Sequence, residues 1–366
     1  MKVLFDHQIF SLQKYGGISR YFANLHRGLQ SAGHQSAITA LYAENEYVKH
    51  DAFLLNNNLG ESLWKGKLNK YYKWNRRFSR WSFKTRAFDV FHPTYYDPYF
   101  IKYLKKPCVV TVHDMVHELY PEYFPDATEV IARKKLVMER ADALIAISEF
   151  TKSDIIKVYP QLANKIHVVY HGYLAPDGST DNLIKENVTL PQNYLLFVGE
   201  RWHYKNFPLF VKGISPLLQA NPQLKLVCAG GKAFTNAELQ LFHQQRIGTQ
   251  CQQMDVTDML LQQLYRQAKL FAFPSLHEGF GLPLLEAFAN QCPVICSNSS
   301  CLPEIAGNAA IYFDPLQPAD IEQAAAQVLG DENLQQQLKQ RGNERLALFT
   351  FDACVQNTIK VYQSVL

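Results

Sequence analysis

Long apolar runs are missing from the 366-residue sequence. No stretch approaches the roughly 18 to 20 apolar residues that a membrane-spanning helix needs, and segment 1–6 carries charge where a secretory signal has its apolar centre. Paired cysteine motifs are missing too, because the seven cysteines are scattered without a Cys-x-x-Cys pair. We therefore expect neither a spanning helix nor a secretory leader, and we expect free thiols in a reducing cytoplasm.

Acidic residues are missing from one stretch, residues 63–88, which holds nine Lys and Arg and no Asp or Glu. At about 100° per residue the aromatic side chains fall on one side and the cations mostly opposite, which predicts one basic amphipathic helix. Such a helix either docks on an anionic membrane or packs in the core with a solvated basic face. The residues expected to dock are Trp64, Lys70, Lys73, Trp74, Arg76, Arg77, Arg80 and Trp81.

Short apolar runs alternate with amphipathic stretches through both halves of the chain. This alternation predicts an α/β protein with two Rossmann-like, doubly wound parallel-sheet domains, whose strand carboxyl ends face a central cleft. The predicted boundaries are 1–172 for the first domain, 173–193 for a polar linker, 194–350 for the second domain and 351–366 for a final helix. A ligand in the cleft is the default expectation.

One segment of the second half combines an apolar strand, a glycine-rich turn and a helix start. Glu278 lies in the turn, Pro283 predicts that a helix begins near Leu282, and Glu286 lies in the first turns of that helix. Eight helical residues span about 12 Å, so the glutamates do not form an acid/base pair of the usual separation. We interpret them as separate contacts to two polyols, with the N–H groups of 279–282 free to bind an anion. The alternative is two solvated glutamates beside a turn.

Three further strand ends carry polar or glycine residues. Arg201 and Lys205 follow a strand of the second half, where they can bind a diphosphate or be plain surface residues. Gly16 and Gly17 begin a helix after the first strand and leave room for a phosphate, although the loop is not G-x-G-x-x-G. His113 ends an apolar strand, where it is either a ligand contact or a structural histidine.

These segments, in this order, resemble glycosyltransferase family 4, whose signature is E-G-F-G-x-P-x-x-E. The resemblance implies a GT-B fold in which the final helix crosses back to the first domain. It implies that Glu278 contacts the donor sugar near the reacting carbon and that Glu286 contacts the ribose. Arg201 departs from the pattern, because in many members the Arg follows the Gly directly, where this chain has Glu200.

The resemblance also implies roles for residues that are weak signals alone. His113 touches the donor sugar and is grouped with Glu278 at the reaction centre. The remaining donor contacts that it implies are Gly16, Gly17, Arg201, Lys205, Val256, Asp258, Gly279, Phe280, Gly281, Leu282 and Glu286.

The expected reaction is retaining transfer of a hexose from a nucleotide-diphosphate sugar, with GDP-mannose favoured. The sequence has no D-x-D pair to bridge a divalent ion and a diphosphate, so we expect no metal and no cofactor. The expected acceptor is an oligosaccharide, free or joined to a polyprenyl diphosphate, in bacterial O-antigen or capsule synthesis. The expected location is cytoplasmic, at the inner face of an anionic membrane.

Two alternatives stay open on the sequence alone. Another GT-B enzyme, a sugar phosphorylase or a nucleotide-sugar epimerase, would share the motifs. A nucleic-acid-binding protein would use the basic segment 63–88, but it would leave the cleft motifs unexplained, and we expect no nucleic-acid partner.

Overall fold

The structure is a computed structural model that describes residues 1–175, 190–201 and 203–366. The chain forms two compact units: unit 1 comprises Met1–Gly172 and Phe351–Leu366, and unit 2 comprises Tyr173–Thr350. Most of the predicted linker 173–193 lies outside the described residues.

Unit 1 contains a parallel sheet in two parts, with strand orders β2-β1-β3 and β4-β5-β6. A parallel bridge between Phe91 and Cys108 joins the parts. Along β1, Val3 and Phe5 enter one buried cluster while Leu4 enters another, so the sheet is covered on both faces. The strands are β1 Lys2–Asp6, β2 Gln35–Thr39, β3 Val90–His92, β4 Val109–Val112, β5 Ala143–Ala146 and β6 Ile166–Val168.

The helices of unit 1 pack around this sheet. They are α1 Gln8–Leu12, α2 Gly17–Ser31, α3 Asn58–Trp64, α4 Leu68–Thr85, α5 Val116–Leu119, α6 Ala127–Arg140 and α7 Glu149–Val158. Chain order reverses between β1 and β3, which are neighbours in the sheet. Open α/β sheets bind ligands at such a switch point, beyond the carboxyl ends of the strands.

Unit 2 contains one six-stranded parallel sheet of order β12-β11-β10-β7-β8-β9, with its switch point between β7 and β10. Its strands are β7 Tyr194–Val198, β8 Lys225–Ala229, β9 Cys251–Met254, β10 Leu270–Phe273, β11 Val294–Ser297 and β12 Ile311–Phe313. Its helices are α8 Phe207–Ala220, α9 Asn236–Gln244, α10 Asp258–Gln267, α11 Leu282–Ala289, α12 Leu302–Ala306, α13 Pro318–Gly330 and α14 Glu332–Leu346.

The last helix, α15 Phe351–Ser364, packs in unit 1 although it follows unit 2 in sequence. Val355, Ile359 and Tyr362 enter the same buried cluster as Phe5 of β1. The Tyr362 hydroxyl lies 2.7 Å from Nδ1 of the buried His92. This helix therefore completes the core of unit 1.

The prediction of one helix over 63–88 is wrong, because α3 ends at Trp64 and α4 begins at Leu68. Gly66 lies between them with φ +69, a left-handed conformation that interrupts a helix. Among the described residues, no helix is both long enough and apolar enough to span a bilayer.

The buried side of α4 also differs from the predicted aromatic side. It consists of Tyr71, Asn75, Ser79 and Ser82. Asn75 donates to the Tyr42 carbonyl at 2.7 Å and accepts from the Leu41 N–H at 2.8 Å, while Ser79 donates to the Thr39 carbonyl at 2.8 Å. Because hydrogen bonds hold α4 against the end of β2, the helix does not need its tryptophans in the core.

Candidate functional site

Lys205 and Glu278 meet at the carboxyl side of the unit 2 sheet. Lys205 follows β7 and Glu278 follows β10, the two strands at the switch point. The Lys205 Nζ donates to Glu278 Oε1 at 2.6 Å, and both side chains are mostly buried. The structure therefore brings together a cation suited to a phosphate and a carboxylate suited to sugar hydroxyls, at the place where this sheet type binds ligands.

The turn after Glu278 is fixed by contacts of its backbone. The Glu278 N–H donates to Ser300 Oγ at 3.1 Å, and the Cys301 Sγ donates to the Glu278 carbonyl at 3.1 Å. Gly281 has φ +95, and a Cβ there would lie 3.0 Å from Leu302 Cδ2. The left-handed conformation therefore favours glycine, and the space for a larger residue is tight.

Helix α11 begins at Leu282 with Pro283 in its first turn, as the sequence predicted. The residue that precedes this helix, Gly281, has no side chain to cap it, so the first N–H groups of the helix are directed toward the space before its start. The Phe280 ring is buried and packs edge-on against Phe349 at 5.7 Å. Only the backbone of Phe280 is thus placed to contact a ligand.

Glu286 lies in α11, where the buried Tyr265 hydroxyl donates to its Oε2 at 3.3 Å. Tyr265 belongs to α10, whose first residue is Asp258. Val256 and Asp258 follow the edge strand β9, which is separated from β10 by β8 and β7. The sequence did not predict Tyr265, an aromatic residue on the buried side of an amphipathic helix.

Arg201 has partners that the sequence did not predict. Its Nε donates to Glu238 Oε1 at 2.7 Å, and its terminal nitrogens donate to the carbonyls of Gly230, Lys232 and Ala233. The guanidinium also lies 4.9 Å from the centre of the Phe234 ring. In this structure Arg201 therefore fixes the loop after β8, and its role as a diphosphate ligand stays a prediction.

His113 follows β4 in unit 1 and is buried. Its N–H donates to the Tyr96 hydroxyl at 3.3 Å, and its ring packs on Tyr21 and His171 at 5.7 Å. Burial lowers the pKa of His113 to about 4, so the ring is neutral at pH 7. Within the described part of the chain its Nε2 is buried and has no hydrogen-bond partner.

A buried ion pair supports the segment that follows His113. Lys134 Nζ donates to Glu118 Oε2 at 3.0 Å and to the Asp114 carbonyl at 2.5 Å. Burial raises the pKa of Asp114, but Lys134 and the Val116 N–H outweigh it and leave that pKa below its ordinary value. The sequence signal for this pair is a lysine on the inward face of α6, beside Val137 and Met138.

Gly16 and Gly17 lie at the start of α2, where the structure shows a side chain that the sequence did not predict. The Ser19 N–H donates to Gln13 Oε1 at 3.3 Å, and a Cβ on Gly16 would lie 2.3 Å from that oxygen. Gln13 therefore occupies the space that Gly16 leaves open. Phosphate binding at this helix start stays a prediction.

The eight predicted docking residues divide into two groups. Trp64 is buried against Tyr42, while Arg76 pairs with Asp97 and Arg80 lies over the Tyr103 ring. The others are exposed on one face of α4: Lys70, Lys73, Trp74, Arg77 and Trp81. Trp74 and Trp81 are 45% and 56% exposed, and the Arg77 guanidinium lies 5.2 Å from a Trp74 ring centre. The aromatic and cationic side chains thus share one surface, which we call the α4 docking surface.

Comparison with known proteins shows that two family models match this chain. Residues 15–173 match Glycosyltransferase Family 4, and residues 179–345 match Glycosyl transferases group 1. O-antigen chain mannosyltransferase B of Escherichia coli is 27% identical over 298 residues, covering 78% of this chain and 77% of the relative. The serotype-specific mannosyltransferase WbdA of Escherichia coli is 30% identical over 259 residues, covering 66% of this chain. The match spans only 32% of the length of WbdA.

A solved structure shares the fold. Anabaena HepE, in complex with UDP and glucose, superimposes with a TM-score of 0.71 at 15% sequence identity, and the match covers 100% of both chains. With a family 4 domain followed by a group 1 domain, each built on a doubly wound parallel sheet, the chain belongs to glycosyltransferase family 4 and has the GT-B fold.

Proposed function

We propose that the chain is a retaining mannosyltransferase that uses a nucleotide-diphosphate sugar, with GDP-mannose as the first candidate. The acceptor is a glycan joined to a polyprenyl diphosphate, in the synthesis of O-antigen or a related surface polysaccharide. The names of the two mannosyltransferase relatives support the sugar and the setting. The observation that carries the proposal is the Lys205–Glu278 pair at the switch point of unit 2.

Different residues of unit 2 bind different parts of the donor. Lys205 and the uncapped start of α11 bind the diphosphate, because both offer positive charge to an anion. Glu278 accepts from sugar hydroxyls, and Glu286, oriented by Tyr265, accepts from the ribose hydroxyls. HepE, a protein of the same fold, has been solved with UDP and glucose, which supports a nucleotide sugar as ligand.

In the proposed reaction the acceptor oxygen attacks the anomeric carbon on the face from which the diphosphate leaves. The bond from that carbon to the phosphate oxygen breaks, and the acceptor proton passes to the departing oxygen. Lys205 and the α11 N–H groups stabilise the charge that grows on the diphosphate, which is the work that a divalent ion does in metal-dependent transferases. We therefore expect full activity in the presence of EDTA.

The α4 docking surface supports a site of action at the inner face of the membrane. Its exposed tryptophans suit the headgroup level of a bilayer, and its cations suit anionic lipid. An acceptor with a polyprenyl tail is held at that surface, so docking would bring the enzyme to its substrate.

Thermal shifts measured with GDP-, UDP-, dTDP- and ADP-sugars test the donor. The largest stabilisation is expected with GDP-mannose, since a ligand that binds only the folded state raises its stability. A transfer assay with radiolabelled donor and octyl α-mannoside acceptors then tests the reaction. Release of nucleoside diphosphate only when acceptor is present distinguishes a transferase from an epimerase.

The matched variants are Glu278→Gln and Glu344→Gln. Loss of the Glu278 carboxylate is expected to lower kcat/KM about 100-fold, because it removes a charged contact at the reacting sugar. Glu344 is exposed on α14, so its amide variant should keep the wild-type rate. Full activity of Glu278→Gln, or a covalent glycosyl adduct trapped on Glu278, would contradict the proposed role.

A further inference from the structure

Asn206 is a buried polar residue that directly follows Lys205 and precedes α8. Its backbone is left-handed, with φ +57 and ψ +28. Asparagine tolerates this conformation better than most residues with a side chain, and glycine also adopts it readily. The left-handed residue separates the turn His203–Lys205 from the helix that begins at Phe207. The direction in which the chain leaves Lys205 therefore depends on the residue at position 206.

The Asn206 side chain forms a tertiary hydrogen bond instead of capping α8. An asparagine that precedes a helix commonly accepts from one of the first helical N–H groups, but the Asn206 side chain forms no such bond to α8, whose residues are all described. Its Nδ2 donates to the Pro315 carbonyl at 2.7 Å, and this bond is buried. Pro315 follows β12, the edge strand of the unit 2 sheet. The bond therefore ties the start of α8 to the loop after β12.

Backbone hydrogen bonds hold the turn that contains Lys205. The Leu276 N–H donates to the Tyr204 carbonyl at 2.7 Å, which joins the turn to the segment that follows β10. The Asn206 N–H donates to the His203 carbonyl at 2.9 Å. The backbone of Lys205 is thus anchored on one side to the segment after β10 and on the other side, through Asn206, to the loop after β12.

The Lys205 side chain is long and flexible, so the place that its ammonium group reaches depends on where its backbone lies. Its Nζ donates to Glu278 Oε1 at 2.6 Å and lies 5.7 Å from the centre of the Phe273 ring. The side chain is only 20% exposed, so its neighbours leave it little room to adjust. A shift of the turn would therefore weaken the pair with Glu278.

We infer that Asn206 is a positioning residue for Lys205. Its left-handed backbone and its bond to Pro315 set the place from which the Lys205 Nζ reaches Glu278 and the diphosphate. Because Nδ2 of Asn206 is bonded to Pro315, the residue acts through Lys205 and is assigned no contact with the donor. The effect on the Lys205–Glu278 pair rests on the geometry of unit 2, whereas the effect on the diphosphate rests on the proposed function.

A double-mutant cycle on the full-length protein tests the inference, with the Kd of GDP measured by isothermal titration calorimetry. Asn206→Gly keeps the left-handed conformation available and removes only the side-chain bond. We expect it to raise the Kd about five- to tenfold, and Lys205→Ala to raise it about 10- to 100-fold, because a charged contact to the phosphate is weakened or lost. The double variant should bind no more than about twofold more weakly than Lys205→Ala, since no cation is left to position.

Two further variants complete the set. Asn206→Asp keeps the shape of the side chain, but a carboxylate cannot donate to the Pro315 carbonyl, so we expect the same pattern in its cycle with Lys205→Ala. Arg246→Gly is the matched control, because Arg246 is an exposed left-handed residue of unit 2 that follows α9, with φ +55. Its variant should bind GDP as the wild type does. Circular dichroism verifies that each variant is folded.

The ammonium signal of Lys205 gives a readout that needs no nucleotide. Proton–nitrogen correlation NMR detects lysine ammonium groups that are shielded by an ion pair, and the Lys205 signal is identified by its absence in Lys205→Ala. We expect this signal to shift or broaden in Asn206→Gly and to keep its position in Arg246→Gly. A purely structural role of Asn206 would lower stability without moving it.

Effects of Asn206→Gly and Lys205→Ala that multiply in the double variant would overturn the inference. So would a Lys205 signal that is missing from the wild type or unchanged by Asn206→Gly. A signal that depends on Asn206, in a protein that does not bind GDP, would support the positioning role and reject GDP-mannose as donor. Binding of GDP and sugar transfer that are both insensitive to Asn206→Gly would reject the positioning role and leave the proposed function standing.

Discussion

Arg201 is more than nine-tenths buried, and its guanidinium bonds one carboxylate and several carbonyls of the loop after β8. Gly231 lies against it, since a Cβ there would be 2.7 Å from an Arg201 nitrogen. Lysine is a point charge and cannot satisfy these acceptors together. Arg201→Lys keeps the positive charge but is expected to alter the structure of the loop after β8.

For Arg201→Lys we expect the free energy of unfolding of unit 2 to fall by about 1 to 3 kcal/mol, because Glu238 and the loop carbonyls lose partners in a partly buried place. The free energy of unfolding of unit 2 is measured by urea denaturation, with hydrogen exchange of unit 2 amides as the probe. The exposed Lys232, changed to Gln, is the control. Unchanged stability with weaker nucleotide binding would instead make Arg201 a direct diphosphate ligand.

The predictability of the site from sequence also differs from residue to residue. A turn signature and its spacing were enough to predict the start of α11, and they named Glu278 as a candidate whose role stays a prediction. The partners of Arg201, the Gln13 amide at Gly16 and the Tyr96 hydroxyl at His113 were not predictable, because each depends on a side chain brought close by packing rather than by spacing.

At the scale of elements, a strand was predictable where its sequence contains a clear apolar run. Strands β7 and β10 are continuous apolar runs, β1 has the apolar run Val3–Phe5 between two charged residues, and β4 is apolar except for Thr111. Strand β9 reads Cys-Gln-Gln-Met at the edge of its sheet, and β3 has three residues, so neither shows an apolar run of useful length. The break before α4 depends on the left-handed Gly66.

Helix α4 is expected to bind anionic membranes through its exposed cations. Replacing Lys70, Lys73, Arg77 and Lys84 by Gln is expected to weaken binding to phosphatidylglycerol vesicles at least 100-fold, since each cation near an anionic surface contributes about 1 kcal/mol. Co-sedimentation at low and high salt measures the loss. Replacing Lys105, Lys106, Lys135 and Lys212, which lie on other surfaces, is the control. Equal binding by both quadruple variants would reject docking through α4.

Helices α8 and α13 cross closely at Gly213, so we expect that a larger residue there destabilises unit 2. A Cβ on Gly213 would lie 2.7 Å from Ile321 Cβ and 2.8 Å from the Pro318 carbonyl oxygen. We expect Gly213→Ala to destabilise unit 2 by about 1 to 3 kcal/mol through overpacking. Gly330 ends α13, and outside its own helix no atom of the described residues lies within 4 Å of its added Cβ. Gly330→Ala should therefore be neutral or stabilising by up to about 1 kcal/mol. Thermal melts of both variants measure the change in stability. Equal changes in Gly213→Ala and Gly330→Ala would contradict the packing argument.

At the scale of the whole molecule, unit 1 holds a set of histidines whose pKa values burial lowers. Examples are His26 and His113, with pKa values of about 4, and His92, with a pKa of about 3. The set is His7, His26, His92, His113, His117 and His171. An unfolded histidine titrates near 6.5, so between about pH 6.5 and pH 4 the unfolded chain binds protons that folded unit 1 excludes.

Stability of unit 1 should therefore fall as pH is lowered through that window. Burial raises the pKa of Asp6 and of Asp51, which acts in the opposite sense, but the histidines outnumber them. We expect a loss of about 3 kcal/mol or more between pH 7 and pH 5, measured by urea denaturation with probes in unit 1.

The slope of stability against pH is the readout that tests this assignment. His113→Asn should reduce the slope, because one buried titrating group is gone, whereas the exposed His50→Asn should not. A slope that is the same in all three proteins would show that other groups control the acid sensitivity.

The position of α15 has a consequence for synthesis on the ribosome. Tyr362, the partner of His92, is translated 270 residues after it, and the whole of unit 2 emerges in between. Unit 2 is continuous in sequence, whereas the core of unit 1 combines Met1–Gly172 with α15 and stays incomplete until α15 has emerged. Most of unit 1 therefore emerges long before its core can be completed, and a nascent chain stalled before residue 351 would expose the apolar surface that Val355 and Ile359 cover.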